Sequence, residues 1–327
     1  MSGRIDLLQL LADGALHSGE ELAARLGVSR AAVWKRLQQL EEWGIAVDAL
    51  TGRGYRLEAP VDLLDADVIR SRLPQDARGR LRRLEVHEAL DSTSDRLLAV
   101  DDLPSGQFDA CLAEFQSAGR GRRGRRWVAP FASGLCLSIG WNYRDAPAAL
   151  SALSLAAGVA VLRALGRLGI AGLALKWPND VVRGDSKLGG ILIDLRGEAA
   201  GPAYVVVGVG INVRLPASAR KRLAEDGVDA VDLAALGPPP ARNAIAAALV
   251  AELSNALGEY GARGLAAFAE EWQDADALAG RTIAVVHGGQ TLHGRARGVD
   301  SDGALLLEVD GAPRRIVSGE VSVRPVQ

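Results

Sequence analysis

A chain of 327 residues that is 48% hydrophobic with a net charge of −2 is long enough for two or three cores and too balanced to demand a nucleic-acid partner overall. It has no N-terminal apolar h-region and no run of 18 apolar residues, which argues against secretion and membrane spanning. Two cysteines, Cys111 and Cys136, sit in apolar runs and read as buried thiols of a reducing compartment, and four scattered histidines argue against a zinc site, so the expectation is a soluble cytoplasmic protein.

Ile5 to Leu11 reads as a short helix ended near Gly14. Ser18-Gly19-Glu20-Glu21 is a capping box that opens a second helix, Glu20 to Leu26, closed by Gly27. Ser29 caps a third helix, Arg30 to Trp43, stopped by Gly44. Two helices around a tight Gly-Val-Ser turn have the pattern of a helix-turn-helix. In the third helix Val33, Leu37 and Leu40 recur on one face, with Arg30, Lys35 and Arg36 off it. From Leu22 to Leu40 there are four positive charges and no acid, a balance that suits a phosphate-lined groove. Ile45-Ala46-Val47 and Tyr55-Arg56-Leu57 flank the turn Thr51-Gly52-Arg53-Gly54 as a hairpin, which makes the unit a winged helix. Ser29, Arg30, Trp34, Lys35, Arg36 and, at the wing tip, Arg53 are the candidate DNA contacts. Trp34 reads either as core or as a group that reaches a base or sugar. A winged helix used only for protein contacts is the alternative.

Pro60 breaks the chain after the wing, and Asp65 caps a helix through Arg72. Leu84 to His87 reads as a strand, and Asp91-Ser92-Thr93-Ser94-Asp95 caps a helix from Arg96 to Val100. By themselves those hydroxyls mean only an N-cap. Ala110 to Phe115 reads as a buried strand that opens into a stretch ending at Trp127, with three glycines and five arginines. Glycines allow close backbone approach, and arginines offer forked donors to carboxylate and phosphate oxygens. Such a loop expects a nucleotide or an acyl-phosphate. A disordered nucleic-acid-binding run and a plain solvated hairpin tip are the alternatives. Gly119, Gly121 and Gly124 spell GxGxxG, but Trp127-Val128-Ala129-Pro130 follows where a dinucleotide fold needs a helix.

Gly134 to Trp141 alternates as a strand, and Pro147 to Leu168 is an Ala/Leu-rich packing helix. Leu173 to Leu175 runs into a polar corner at Asn179 and Asp180. Lys187 to Asp194 restarts a strand with a lysine at its mouth, and Tyr204 to Val213 is another, with Gly208, Gly210 and Asn212 near its end. Strands with few helices between them predict a mixed sheet of α+β type. Arg214 to Pro240 reads as a surface loop with a short helix, and Asn243 to Tyr260 and Leu265 to Trp272 as closing amphipathic helices. Thr282 to His287, Thr291 to Gly298, Ala304 to Val309, Arg314 to Val317 and Val321 to Arg324 predict a small SH3-like β barrel, with turns at Gly288-Gly289, Asp302-Gly303 and Asp310-Gly311. The domain limits read 1–62, 63–277 and 278–327.

Gln116 with Gly119-Arg120-Gly121-Arg122-Arg123-Gly124, then Lys176-Trp177-Pro178-Asn179-Asp180, then Lys187-Leu188-Gly189-Gly190-Ile191-Leu192, then Gly208-Val209-Gly210-Ile211-Asn212 resemble the motif series of biotin–protein ligases. Order and spacing are similar to the bifunctional bacterial type that is also the biotin operon repressor, and the likeness spans nearly the whole chain. It implies the biotin/lipoate ligase superfold and a two-step reaction. Biotin and ATP give biotinyl-5′-AMP and pyrophosphate, and a lysine of the biotin carboxyl carrier protein of acetyl-CoA carboxylase then displaces AMP. The resemblance implies biotin contacts from Ser92, Thr93, Ser94, Gln116, Arg120, Gly121, Arg122 and Lys187. It implies ATP contacts from Arg122, Arg125, Trp127, Asn179, Asp180 and Asn212, catalytic roles for Lys187, Arg120 and Arg122, and Mg²⁺ on Asp180. Further nucleotide contacts are expected near Arg242. Two anions must meet in such a reaction, so cations that offset their repulsion make chemical sense. A salt bridge or cap for Asp180 and a strand-edge charge for Lys187 are the bland alternatives. One departure is plain: the family usually reads Ser-Thr-Asn where this chain has Ser92-Thr93-Ser94, and serine lacks the reach of the amide. The resemblance also implies a homodimer on operator DNA when the adenylate is bound. A lipoate or octanoate enzyme, a sensor that never transfers, and a ligase with a silent winged helix are the rivals.

Overall fold

The computed structural model describes residues 2–41, 45, 47–57, 61–144, 150–197, 202–287 and 289–323. The expected stops at Trp43 and Gly44, Ala46 of the wing, the break at Pro60, the helix start at Pro147, Gly288 and Arg324 lie outside the described residues.

The N-terminal unit holds α1 (Ser2–Leu11), α2 (Gly19–Leu26), α3 (Arg30–Glu41), β1 (Val47–Leu50) and β2 (Gly54–Leu57). Ser18 caps α2 by accepting the Glu21 N–H, and Gly27 ends it in left-handed backbone at φ 63°, where the missing Cβ removes the strain. Val33, Leu37 and Leu40 bury against Leu7, Leu8, Leu11 and Leu22, so the apolar spacing of α3 faces the core as expected. The wing arms pair with Val47 opposite Leu57. His17 adds a rung: its N–H reaches Tyr55 O at 2.9 Å and its carbonyl accepts the Tyr55 N–H at 2.8 Å. Phe131 enters this core from the segment that follows the Arg/Gly stretch.

Asp65 caps α4 (Ala66–Arg72). The next helix, α5 (Gln75–Arg80), has no counterpart in the sequence reading, because its polar-rich run QDARGR carries no apolar period. After β3 (Leu81–Leu90) comes α6 (Thr93–Leu98). It starts earlier than the expected Arg96, because Ser92 is the cap and accepts the Asp95 N–H at 3.3 Å. Thr93 and Ser94 thereby fall in the first helical turn and are buried.

The remaining core elements are β4 (Phe108–Gln116), β5 (Gly134–Tyr143), α7 (Leu153–Arg167), β6 (Ala174–Lys176), β7 (Asp180–Arg183), β8 (Ser186–Gly197), β9 (Ala203–Asn212), α8 (Ala217–Glu225), α9 (Arg242–Arg263) and α10 (Ala269–Asp274). The seven strands order as β3-β4-β5-β9-β8-β7-β6. Only β3 and β4 run parallel, which gives the mixed sheet that the sequence predicts. Side chains alternate across a pleated strand, and the two faces have different partners. Leu135, Leu137, Ile191, Val209 and Ile211 join the core built with α7 and α9. Cys111 and Val206 pack with Leu97 of α6 on the other face. The stretch Leu150–Arg167 is apolar enough by length and composition to cross a membrane, yet most of it is buried in this core.

The C-terminal sheet has β10 (Thr282–His287), β11 (Gln290–Val299), β12 (Leu305–Val309), β13 (Ala312–Ile316) and β14 (Glu320–Val323), in the antiparallel order β13-β12-β11-β10-β14. It touches the main core at one informative place. The Trp177 indole N–H donates to Gly303 O at 3.0 Å, just before the polar corner at Asn179.

Candidate active site

The floor of the site follows from strand register. Cys136 lies opposite Gly210, and Ser138 opposite Gly208, across β5 and β9. Gly190 lies opposite Gly210, and Leu192 opposite Gly208, across β8 and β9. These residues share the α6 face of the sheet, and three of them are glycine. Missing side chains open a cleft whose empty space, open solvent included, is about 1010 Å³. A Cβ at Gly210 would collide with the Trp127 indole, and one at Gly208 would stand 2.7 Å from Ser94 Oγ. Glycine is required there by close approach rather than by a special φ.

One end of the cleft is neutral and polar. The Thr93 backbone N–H donates to Gln116 Oε1 at 2.8 Å, and the Thr93 hydroxyl donates to the same oxygen at 3.1 Å. Ser138 Oγ lies 2.8 Å from Thr93 Oγ1 and 3.0 Å from Ser94 Oγ. Cys136 lines the cleft beside Gln116. Burial pushes its thiol up to about 12, against hydrogen bonds from Trp127 and Gln116 that act the other way. The thiol therefore stays protonated near neutral pH.

The other end is cationic. The Arg/Gly stretch forms a tight hairpin, in which the Gly121 N–H reaches Arg125 O at 2.7 Å and the Trp127 N–H reaches Gly119 O at 2.9 Å. Arg123, at φ 56°, and Gly124, at φ 74°, turn its tip. Lys187 Nζ pairs with Asp180 Oδ1 at 2.6 Å and stands 6.0 Å from the Trp127 ring centroid. Arg122 donates to Asn179 Oδ1 at 3.5 Å, while Asn179 Nδ2 donates to Ile191 O at 2.6 Å. Asn212 donates to Val231 O at 3.1 Å and so holds the segment that pairs with Lys187.

All thirteen residues expected at the ligase site line this one cleft: Ser92, Thr93, Ser94, Gln116, Arg120, Gly121, Arg122, Arg125, Trp127, Asn179, Asp180, Lys187 and Asn212. Arg120, expected as a biotin contact with a catalytic role, is engaged by two carboxylates. Its guanidinium contacts Asp194 at 2.8 and 3.2 Å and Asp95 at 2.7 Å, which fastens the hairpin stem to β8 and α6. Arg242 is absent from the cleft lining. It is buried at the start of α9, paired with Glu114 at 2.7 Å. Leu223, Val228 and Ala230 complete one wall, from the segment read as a surface loop with a short helix, and that helix is α8. Ser138 was passed over because a serine in an apolar strand looks like a tolerated core residue.

The histidine count also missed a proximity. Glu85, His87 and Cys111 bring three donor atoms within 4.8 Å of one another, because β3 and β4 pair in register. Arg96 already holds Glu85 at 2.8 and 2.9 Å, and burial pushes the Cys111 thiol up to about 12. Both features disfavour a cation.

In the winged helix, Ser29, Arg30, Trp34, Lys35 and Arg53 are exposed and Arg36 is half-buried. Trp34 is 57% exposed, so of its two readings the core one is excluded. Arg30 contacts Glu20 at 3.3 Å across the surface.

Comparison with known proteins covers all three parts of the chain. An HTH domain matches residues 4–56, the Biotin/lipoate A/B protein ligase family matches 87–212, and the Biotin protein ligase C terminal domain matches 279–324. The "Bifunctional ligase/repressor BirA" of Salmonella typhimurium is 41% identical over 326 residues, covering 99% of this chain and 98% of that protein. Its namesake in Escherichia coli is 40% identical with the same coverage. Among solved structures, the biotin protein ligase from Aquifex aeolicus in complex with biotin and ATP is similar at a TM-score of 0.61 and 25% identity, covering 75% of this chain and all of that one.

Proposed function

The chain belongs to the biotin–protein ligase family in its ligase/repressor form, and on that premise we propose that it activates biotin with ATP, transfers it to a carrier lysine and represses transcription at operator DNA. The observation that carries this reading is one cleft with two chemistries: hydroxyls and an amide at one end, arginines and a lysine at the other. A neutral polar end suits a ureido ring, and a cationic end suits a carboxylate and a phosphate.

The biotin carboxylate attacks the α-phosphorus of ATP, forming a carboxyl–phosphate anhydride as pyrophosphate leaves. Lys187 and the hairpin arginines Arg122 and Arg125 offset the negative charge that gathers on the phosphorus oxygens. The ε-amine of the carrier lysine then attacks the anhydride carbonyl. An amide forms, AMP leaves, and the amine loses a proton to solvent. The cleft contributes mainly proximity and fixed charge. The Asp180 carboxylate supplies the hard oxygen donor that Mg²⁺ prefers, and with Asn179 beside it would hold the ion. When bound, Mg²⁺ neutralises phosphate charge.

The domain limits that fit this division of labour are 1–62, 63–277 and 278–327. The partners are the biotin carboxyl carrier protein of acetyl-CoA carboxylase and operator DNA, engaged by an adenylate-bound homodimer in the cytoplasm. For the enzymatic half, pyrophosphate release should require both biotin and ATP; release without biotin refutes it. For the regulatory half, operator protection should depend on biotin plus ATP, and a footprint indifferent to them contradicts it.

A further inference from the structure

Thr93, Ser94, Ser138 and Gln116 form a hydrogen-bonded chain whose direction can be worked out from proton counting. A backbone N–H only donates, so the Gln116 atom 2.8 Å from the Thr93 nitrogen is the carbonyl Oε1. The Thr93 hydroxyl donates its one proton to the same Oε1. The 2.8 Å bond between Thr93 Oγ1 and Ser138 Oγ is therefore donated by Ser138. That uses the only proton of Ser138, so the 3.0 Å bond to Ser94 Oγ is donated by Ser94. Protons run from Ser94 to Ser138 to Thr93 to Gln116.

Ser138 sits at the centre of this chain. It is fully buried on β5, at 0% exposure, and touches the Thr93 and Ser94 hydroxyls. We propose that Ser138 is a positioning residue that fixes the donor and acceptor polarity of the neutral end of the cleft. Ser138 takes the Ser94 proton, so Ser94 presents lone pairs to a ligand, and it gives its own proton to Thr93, whose hydroxyl already donates to Gln116 Oε1 and keeps one lone pair. Gln116, with Oε1 held by Thr93, has its Nε2 beside Gly119 and offers a ligand the hydrogen that is not turned to the Cys136 thiol. A cyclic urea brings two N–H donors and one carbonyl acceptor, the complement of that arrangement. Ser94 then serves as an acceptor oriented from behind, which gives the departure from the Ser-Thr-Asn pattern a physical account.

The inference rests on the biotin reading of the cleft, and steady-state kinetics separate the two. Ser138→Ala is expected to raise the KM for biotin about tenfold, the worth of roughly one net hydrogen bond. The KM for ATP and kcat should stay near wild type. Ser138→Cys keeps the shape and a weak S–H donor and should fall between. A biotin KM within twofold of wild type in Ser138→Ala, or an ATP KM that rises in step, overturns the proposal. If Ser138→Ala does not fold, Ser138→Cys and Ser94→Ala must each raise the biotin KM, and failure of either overturns it. A wild-type protein with no biotin-dependent turnover refutes the ligase reading itself, before any variant is compared.

Discussion

Lys187 Nζ lies 2.6 Å from Asp180 Oδ1, across the antiparallel pairing of β7 and β8. The pair holds the ammonium beside a carboxylate at the cationic end of the cleft. Lys187→Ala should lower biotin-dependent pyrophosphate release about a hundredfold or more, the cost of removing a preorganised charge from a transition state. Asp180→Asn should cost less and should raise the Mg²⁺ concentration needed for half-maximal rate. An Asp180→Asn protein with unchanged Mg²⁺ dependence limits Asp180 to holding Lys187.

Arg120 fastens the Arg/Gly hairpin to Asp194 and Asp95. The tip carries exposed arginines, residues after which trypsin cuts, so cleavage would report how firmly the stem is held. Asp194→Asn should speed tryptic cleavage at the hairpin about two- to fivefold without ligand, consistent with the modest worth of a partly exposed ion pair. Equal cleavage rates would mean that Asp194 does not help to hold the stem.

Trp34 projects from α3 at 57% exposure while Val33 and Leu37 on either side are buried. Trp34→Ala should leave the melting temperature nearly unchanged, since exposed substitutions usually act within about 0.5 kcal/mol. It should weaken operator binding about tenfold, as expected for loss of one aromatic contact to a nucleotide. Unchanged DNA affinity would return Trp34 to a role in protein contacts.

His17 is flanked by Asp13 at 3.1 Å and Glu21 at 3.1 Å, with Arg25 reaching Glu21 at 3.7 Å. Desolvation lowers the His17 pKa, but the hydrogen bonds to Asp13 and Glu21 outweigh it, and the net shift is upward from 6.5. A raised folded pKa contributes stability that is fully present below the unfolded value of 6.5 and is lost as pH rises through the folded value. The winged helix should therefore loosen above that window, seen as faster amide exchange at Tyr55, whose N–H bonds the His17 carbonyl. His17→Gln should flatten this pH dependence. A wild-type exchange rate that follows only the intrinsic chemistry of the amide contradicts the idea.

The Arg/Gly stretch read as an anion site from its residue types, whereas the individual site residues came from the resemblance of the motif series. The fold of the two small units was legible from caps and turns, as Ser18 and Gly27 illustrate. Ser138 and Cys136 were not, since their importance comes from register with Gly208 and Gly210, some seventy residues away in the chain. Leu223 and Val228 were missed for a related reason: α8 is short and polar, and its contact with the cleft is tertiary. Arg242 was misjudged because burial beside Glu114 leaves no trace in local sequence.

The central claim is transfer of biotin, and intact mass spectrometry of a biotin carboxyl carrier domain tests it most directly. The carrier is incubated with this protein, ATP, Mg²⁺ and equimolar biotin and lipoate. The account predicts a single biotinyl adduct on the carrier, absent when ATP is omitted. A lipoyl adduct, or no adduct while the protein retains biotinyl-AMP, would contradict it.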